Sequence, residues 1–436
     1  MSSAAAGVRA GAAEVSLSLS VRGLKKSPTL AIQGRCDELA RAGRRIYRLG
    51  LGQSPFPVPL PVVEALRANA GRKEYLPVEG LPALRAAIAE YHRKRHGVSC
   101  GPDDVLVAPG SKELMFLLQV VYYGELLIPT PAWVSYAPQA QIAGRRTTFL
   151  PTTPHGFRLQ PADLARVCAE DPDRPRILIL NYPGNPTGGT YSSEELAELA
   201  EVARRFRIVV LSDEIYGELH HKGRHVSIAS FYPEGTILSS GLSKWCGAGG
   251  WRLGTFTFPR ALRWLLEAIA VAASETYTST SAPIQYAAVR AFEGGIEMER
   301  YLRSARHLLA ALTRRCARRL LDAGAQLELP DGAFYLFPDF TPLAPRLARR
   351  DVHTSEPLCH RLLADTGVAI LPGSVFGRPP GELTARLALV DFDGARALAA
   401  LEERAEGDPV DDSFLDEHCG VVLQAVDLLS EWVSAQ

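Results

Sequence analysis

No charge of either sign prevails in this 436-residue chain, where 48 Lys and Arg stand against 48 Asp and Glu. A nucleic-acid binder draws its affinity from neutralising phosphates and carries a basic excess, so that class is excluded, as is electrostatic attachment to anionic lipid. No apolar run approaches the roughly 18 residues needed to cross a bilayer. The seven cysteines are scattered, odd in number and form no C-x-x-C pair, which argues against a thiolate metal site or a disulfide framework and for a reducing, cytoplasmic setting. Neither a G-x-G-x-x-G run after a strand nor a Walker-type G-x-x-x-x-G-K-[ST] occurs, so a dinucleotide or P-loop site is unsupported. The histidines His220, His221 and His225 lie in ELHHKGRH without H-E-x-x-H spacing or cysteine partners, and read as a polar loop, not a metal cluster.

What the chain has is an ordinary globular composition, 47% hydrophobic and 22% charged. From Val105 to Thr257 one pattern recurs: a short apolar run, a turn rich in Gly, Pro or Asn, then a helix-like stretch. The runs are Val105 to Ala108, Leu126 to Ile128, Ile177 to Leu180, Ile208 to Leu211, Ile237 to Leu238 and Leu253 to Phe258. Unalternating apolar runs mark strands buried on both faces, and intervening helices make them parallel. The expected fold is α/β, a sheet between helices. Ser192 followed by Glu195 is a capping box, and Ser111 opens a second helix. From Met298 a long Arg-rich helix, then short strands at Phe334 to Phe337 and Arg386 to Val390, suggest a smaller α+β domain. Its cluster Arg314, Arg315, Arg318 and Arg319 reads as a solvated face. The division expected is residues 1–24 as a flexible leader, 25–55 as an N-terminal arm, 56–295 as the large domain and 296–436 as the small one. The leader is small, Ser/Ala-rich and acid-poor; organellar import through it is the lesser alternative.

Three polar residues stand at the ends of successive apolar runs: Asn185 in NYPGNPTG, Asp213 in VVLSDEIY and Lys244 in SSGLSKW, separated by 28 and 31 residues. About 30 residues is one βα repeat, so the three fall at equivalent strand ends. That edge of an open parallel sheet is where ligands bind. An Asn, an Asp and a Lys converging there would hold a hydrogen-bond acceptor, a protonated nitrogen and a carbonyl.

With these residues in place, the runs NYPGNPTG, SDEIY and SGLSKWCGAGGWRLG resemble the motifs of the class I/II aminotransferases, pyridoxal 5'-phosphate enzymes of fold type I, from about Pro28 to about Asp393. The resemblance implies a mainly parallel seven-stranded sheet in the large domain and amino-group exchange between an amino acid and a 2-oxo acid. Lys244 resembles the lysine that bonds the cofactor aldehyde and then carries the proton; Asp213 resembles the carboxylate facing the pyridine nitrogen, and Tyr216 and Asn185 the donors to its phenolic oxygen. Arg252 looks like the phosphate clamp, joined by Gly110, Ser111 and Lys112 at a helix start where free N–H groups favour an anion. Tyr75 is similar to the tyrosine that reaches the phosphate of a neighbouring subunit, which implies a homodimer. Trp133 resembles the ring stacked on the pyridine, with Tyr136 beside it as the other candidate. Arg386 resembles the grip on the substrate α-carboxylate, with the backbone of Gly52 against the same group.

Two departures stand out. Where many relatives bind phosphate through Ser or Thr three residues before the lysine, this chain has Gly241, leaving Ser239, Ser240 or Ser243 to replace the hydroxyl. LGQSPFPVP replaces a Gly-Glu-Pro run at the substrate's border. GSKELMF resembles the segment of aspartate and prephenate aminotransferases in which the lysine meets a distal carboxylate; Lys112 is then a substrate contact favouring aspartate or glutamate, its alternative a lysine exposed on the first helical turn. Competing readings are an aromatic or kynurenine-type aminotransferase and a lyase of the same fold. A regulator fused to a DNA-binding domain is disfavoured by neutral charge and the short stretch before Pro28.

Overall fold

The computed structural model describes residues 17–153, 156–404 and 408–435. Its centre is a seven-stranded sheet: β1 Val105–Ala108, β2 Glu125–Thr130, β3 Thr147–Pro151, β4 Arg176–Asn181, β5 Val209–Asp213, β6 Thr236–Gly241 and β7 Gly254–Thr257. The spatial order is β1-β7-β6-β5-β4-β2-β3. The apolar runs became strands because they are buried on both faces; Leu178, Val210 and Ile237 are fully enclosed. Each such side chain contributes about 1.5–3 kcal/mol of burial. Helices cover both faces, giving the mainly parallel α/β sheet expected.

Two features correct the reading. β3 was not among the six runs: TTFLP lies at the sheet edge, half-exposed, and its threonines carry little apolar signal. Nor are all strands parallel, because β7 runs antiparallel to both β6 and β1. Only 12 residues separate Gly241 from Gly254, too few for a helical crossover, so the chain returns as a hairpin.

The helix Ser193–Arg205 starts on the expected capping box, with Glu195 N–H donating to Ser192 Oγ at 3.2 Å and Ser192 N–H to Glu195 Oε2 at 2.7 Å. Ser111 is the first residue of the helix Ser111–Val121, behind Gly110. The Arg-rich helix spans Ile296–Asp322 and buries Leu302, Leu308, Leu312 and Leu320. Its arginines are less uniformly solvated than expected. Arg315 pairs with Asp416 at 2.6 Å and Arg319 with Asp427 at 3.2 Å, tying it to a helix at Asp412–Ser434 for which the sequence reading assigned no element.

Near this helix a three-stranded antiparallel sheet places Ala385–Ala388 between Leu371–Pro372 and Tyr335–Leu336. Tyr47–Arg48 pairs parallel with Val368–Ala369, so the N-terminal segment is built into the C-terminal part of the chain.

Candidate functional site

The ladders align the expected residues. Asn181 stands opposite Asp213 in β4–β5, and Asp213 opposite Ser239 in β5–β6. Asn185 and Lys244 follow just beyond the same edge. Asn185 is held by its backbone, whose N–H donates to Asn181 Oδ1 at 2.7 Å, while Asn181 Nδ2 donates to the Asp213 carbonyl at 2.9 Å. Asn181 is therefore a positioning residue that the sequence reading passed over, although it ends the same apolar run.

Asp213 is 4% exposed and receives the Tyr136 hydroxyl on Oδ2 at 2.6 Å and the Ser239 hydroxyl on Oδ1 at 3.4 Å. Burial pushes its carboxyl up to about 6, against the lowering effect of these two hydroxyls. No arginine or lysine among the described residues pairs with it, so a buried acid faces the site with capacity for a cationic partner. These contacts also separate two alternatives. Tyr136 is the Asp213 partner, and Trp133 lies edge-on to it, half-buried, with ring centroids 5.2 Å apart. Ser239 is directed at Asp213, leaving Ser240 and Ser243 as the hydroxyls nearer the lysine turn.

Lys244 follows β6 by three residues, and its Nζ donates to the Gly52 carbonyl at 2.6 Å. Burial first, then Arg386 and Arg252, bring the amine down to about 8. An amine so depressed is partly unprotonated near neutrality, as a nucleophile for a carbonyl must be. Tyr216 lies with its ring 5.7 Å from that Nζ, and its hydroxyl shares a 2.7 Å hydrogen bond with the Tyr335 hydroxyl. Tyr335 was missed because it looks like one more core aromatic in FYLF; here it reaches the site from the small sheet.

Arg386, 1% exposed, sends Nη1 to Asn185 Oδ1 at 3.0 Å and Nη2 to the Gly50 carbonyl at 2.5 Å, over the ring of Tyr335. Its Nε is buried without a hydrogen-bond partner among the described residues. A buried guanidinium supported only by neutral oxygens is a receptor for a carboxylate. Gly52 completes the wall: a Cβ there would lie 2.0 Å from the Tyr335 hydroxyl, so only glycine lets the chain pass so close.

A second concavity forms where β1 meets the helix Ser111–Val121. Gly110 has φ +100°, and a Cβ on it would lie 2.2 Å from Arg252 Nη2; a Cβ on Gly254 would lie 1.9 Å from the Ser111 N. Arg252 itself adopts a left-handed φ of +54° and donates Nη1 to the Gly249 carbonyl at 2.9 Å. That conformation costs a non-glycine residue on the order of 1 kcal/mol, which aims the guanidinium at the helix start. Unpaired N–H groups, a helix dipole and an open arginine make an anion cradle. Lys112 lies beside it, exposed on the first helical turn with Nζ 5.4 Å over the Trp133 ring, its amine lowered by partial desolvation and by Arg252. Gly241 stays tight: a Cβ would come 2.7 Å from the Leu253 carbonyl, so the hydroxyl absent here has no ready space.

Tyr75 is 90% exposed, clear of its own chain's site. Among the described residues no group of three His, Cys, Asp or Glu side chains is placed to hold a metal ion. Nor is any described helix long and apolar enough to cross a membrane.

Residues 44–391 match the family model for aminotransferase class I and II. The chain is 32% identical to the aspartate aminotransferase of Bacillus subtilis, over 88% of this chain and 96% of that one. It is likewise 32% identical to the aspartate/prephenate aminotransferase of Thermus thermophilus, over 83% and 91%. In structure it resembles the Thermus thermophilus aspartate aminotransferase with maleate, at a TM-score of 0.81 and 29% identity, covering 96% of this chain and 99% of that one.

Proposed function

Since this chain belongs to the class I and II aminotransferases, we propose that it exchanges an amino group between a dicarboxylic L-amino acid, aspartate or glutamate, and a 2-oxo acid, with pyridoxal 5'-phosphate held between Trp133, Asp213, Lys244 and Arg252. The residues fit such a group. Gly110 and Gly254 let Arg252 and the helix start at Ser111 approach closely, where a Cβ on either would collide; Asp213 is a buried acid with no salt-bridge partner among the described residues; Lys244 is a buried amine of lowered basicity. When bound, the cofactor supplies an aldehyde to link the amino group and a pyridine ring to accept the electron pair left at the substrate Cα.

The remaining work falls to the chain. Arg386 orients the substrate by its α-carboxylate, with Asn185 holding the guanidinium in place. Lys244, released from the Gly52 carbonyl, takes the Cα proton and returns it at the far side of the transferred nitrogen. Asp213 keeps the ring nitrogen protonated, and Tyr136 steadies Asp213. Tyr216, supported by Tyr335, donates to the phenolic oxygen together with Asn185. Ser111, Ser243 and the backbone beyond Gly110 share the phosphate with Arg252.

The observation that carries the substrate reading is Lys112, whose amine lies over Trp133 at the mouth of the site. Two cations, Arg386 and Lys112, then meet the two carboxylates of one substrate; maleate, bound by the Thermus thermophilus relative, is also a dicarboxylate. Tyr75, exposed on its own chain, is assigned to the phosphate of a partner subunit, making the active unit a homodimer. Residues 56–295 are assigned to cofactor binding and residues 25–55 with 296–436 to substrate closure, which the Tyr47–Arg48 pairing with Val368–Ala369 supports. Seven free cysteines suit a reducing, cytoplasmic compartment.

The deciding experiment mixes the holoenzyme with single amino acids and follows loss of the bound cofactor's absorbance, then adds 2-oxoglutarate. Rapid conversion by aspartate and glutamate, reversed by the oxo acid, is the expected result. Conversion only by phenylalanine or kynurenine, or release of ammonia in place of transfer, overturns the reading.

A further inference from the structure

Two charged segments that the transfer chemistry leaves unused meet elsewhere on the molecule. The loop after Tyr216 and the helix Ile296–Asp322 border an open cavity of 490 Å³, whose wall carries Lys222, Arg303, Arg306 and Arg314 against one carboxylate, Asp331. This volume is that of a small-molecule site. Arg306 is already engaged, its Nε donating to the Glu218 carbonyl at 2.6 Å and its Nη2 paired with the Glu218 carboxylate. Lys222 and Arg314 have no ion-pair partner among the described residues, in contrast to Arg315 and Arg319 on the same helix, which pair with Asp416 and Asp427.

A second, independent feature points to a ligand. Thr313 lines the same cavity, is 1% exposed, and its hydroxyl has no hydrogen-bond partner among the described residues. A buried hydroxyl left unsatisfied is costly, and cations gathered around a concavity repel one another in the absence of a counter-charge. His221, on the same wall, is lowered by burial, with Arg314 among the contributors. Leu329, 55% exposed, and Pro330 add an apolar lip.

We propose that this cavity binds a small anion carrying two or more negative charges, a phosphate ester or a polycarboxylate, with Lys222 and Arg314 as charge partners and the Thr313 hydroxyl as donor. Its concave shape and the chain's zero net charge favour a small molecule over nucleic acid or membrane. The site is separate from the cofactor cradle, and shares no residue with it.

The test titrates inorganic pyrophosphate and, separately, citrate into the holoenzyme at low ionic strength, by calorimetry and by the shift in thermal midpoint. At least one probe is expected to bind with a dissociation constant below about 1 mM. Tighter pyrophosphate binding marks the phosphate-ester type, tighter citrate binding the polycarboxylate type. Lys222→Ala with Arg314→Ala should weaken binding roughly a hundredfold by removing two charge-assisted contacts. Thr313→Val keeps shape while deleting the hydroxyl, and should weaken binding several-fold without lowering the unliganded thermal midpoint. Transamination by both variants should stay at the parent level. Absence of binding by both probes, or binding undiminished in the double variant, overturns the proposal.

Discussion

The amine of Lys244 rests on the carbonyl of Gly52, Nζ to O at 2.6 Å, so the nucleophile is held by a segment 192 residues earlier in the chain. Gly52 is also the residue whose missing side chain admits the Tyr335 hydroxyl. The substrate wall and the amine are thereby fixed by one backbone position. Gly52→Ala should disturb both, lowering kcat and raising KM together, because the new methyl must displace Tyr335 from Tyr216; steady-state kinetics measures it.

Lys244→Ala should abolish transamination, with a loss of at least about 10³-fold, the scale of removing a positioned acid–base group that is also the nucleophile. The visible absorbance of lysine-linked cofactor should vanish at the same time. A yellow variant with parental turnover would remove Lys244 from the mechanism.

Lys112→Ala should raise KM for aspartate and glutamate by roughly 10- to 100-fold, the loss of one charge-assisted contact. Phenylalanine should be little affected. Equal losses for all three donors would assign Lys112 to the cofactor phosphate alone.

Asp213 is pushed up to about 6 by burial, and the Tyr136 hydroxyl opposes that rise. Cofactor affinity of the empty enzyme should decline as pH falls through about 6, where the carboxylate that pairs the pyridine nitrogen is lost. In Tyr136→Phe the carboxylate loses a donor, its pKa rises further, and the decline should begin at higher pH. Cofactor binding followed by fluorescence quenching across pH 5 to 8 checks the direction.

His92 lies in the helix Pro82–His96, 2% exposed, with neither ring nitrogen hydrogen-bonded. Burial lowers it to about 3. The unfolded chain takes up a proton near pH 6.5 that the folded chain refuses, so the unfolded state binds more protons between those values. Stability from this group is therefore complete above about pH 6.5 and falls towards pH 3 by up to about 1.4 kcal/mol per unit. His92→Leu should flatten that slope in urea titrations at pH 4 to 7.

Most of the sheet was legible because strands buried on two faces need continuous apolar runs, as in ILIL and IVVL. β3 was not, since an edge strand keeps one side wet and TTFLP has no such run. Direction was also hidden, for an apolar run reads alike both ways; only the short Gly241–Gly254 connection bears on it. At the site, Asn185, Asp213 and Lys244 were legible because polar groups at the ends of apolar strands are conspicuous. Asn181 and Tyr335 were not, and Tyr136 was read only as the alternative to Trp133, since their roles depend on contacts across β4–β5, the sheet's helices and the small sheet. Arg314 was grouped with its neighbours because charge spacing alone does not show which arginines the C-terminal helix engages.

The reversal of β7 has a topological consequence. Asp213 ends its strand, and Asn185 and Lys244 come after theirs, whereas Arg252 comes before its own; only a strand running backwards can deliver a preceding residue to the same rim. One hairpin therefore supplies both the amine and the guanidinium, eight residues apart. Their spacing is set by a single local turn, so it is insulated from motions of a connecting helix such as Ser193–Arg205, which joins β4 to β5.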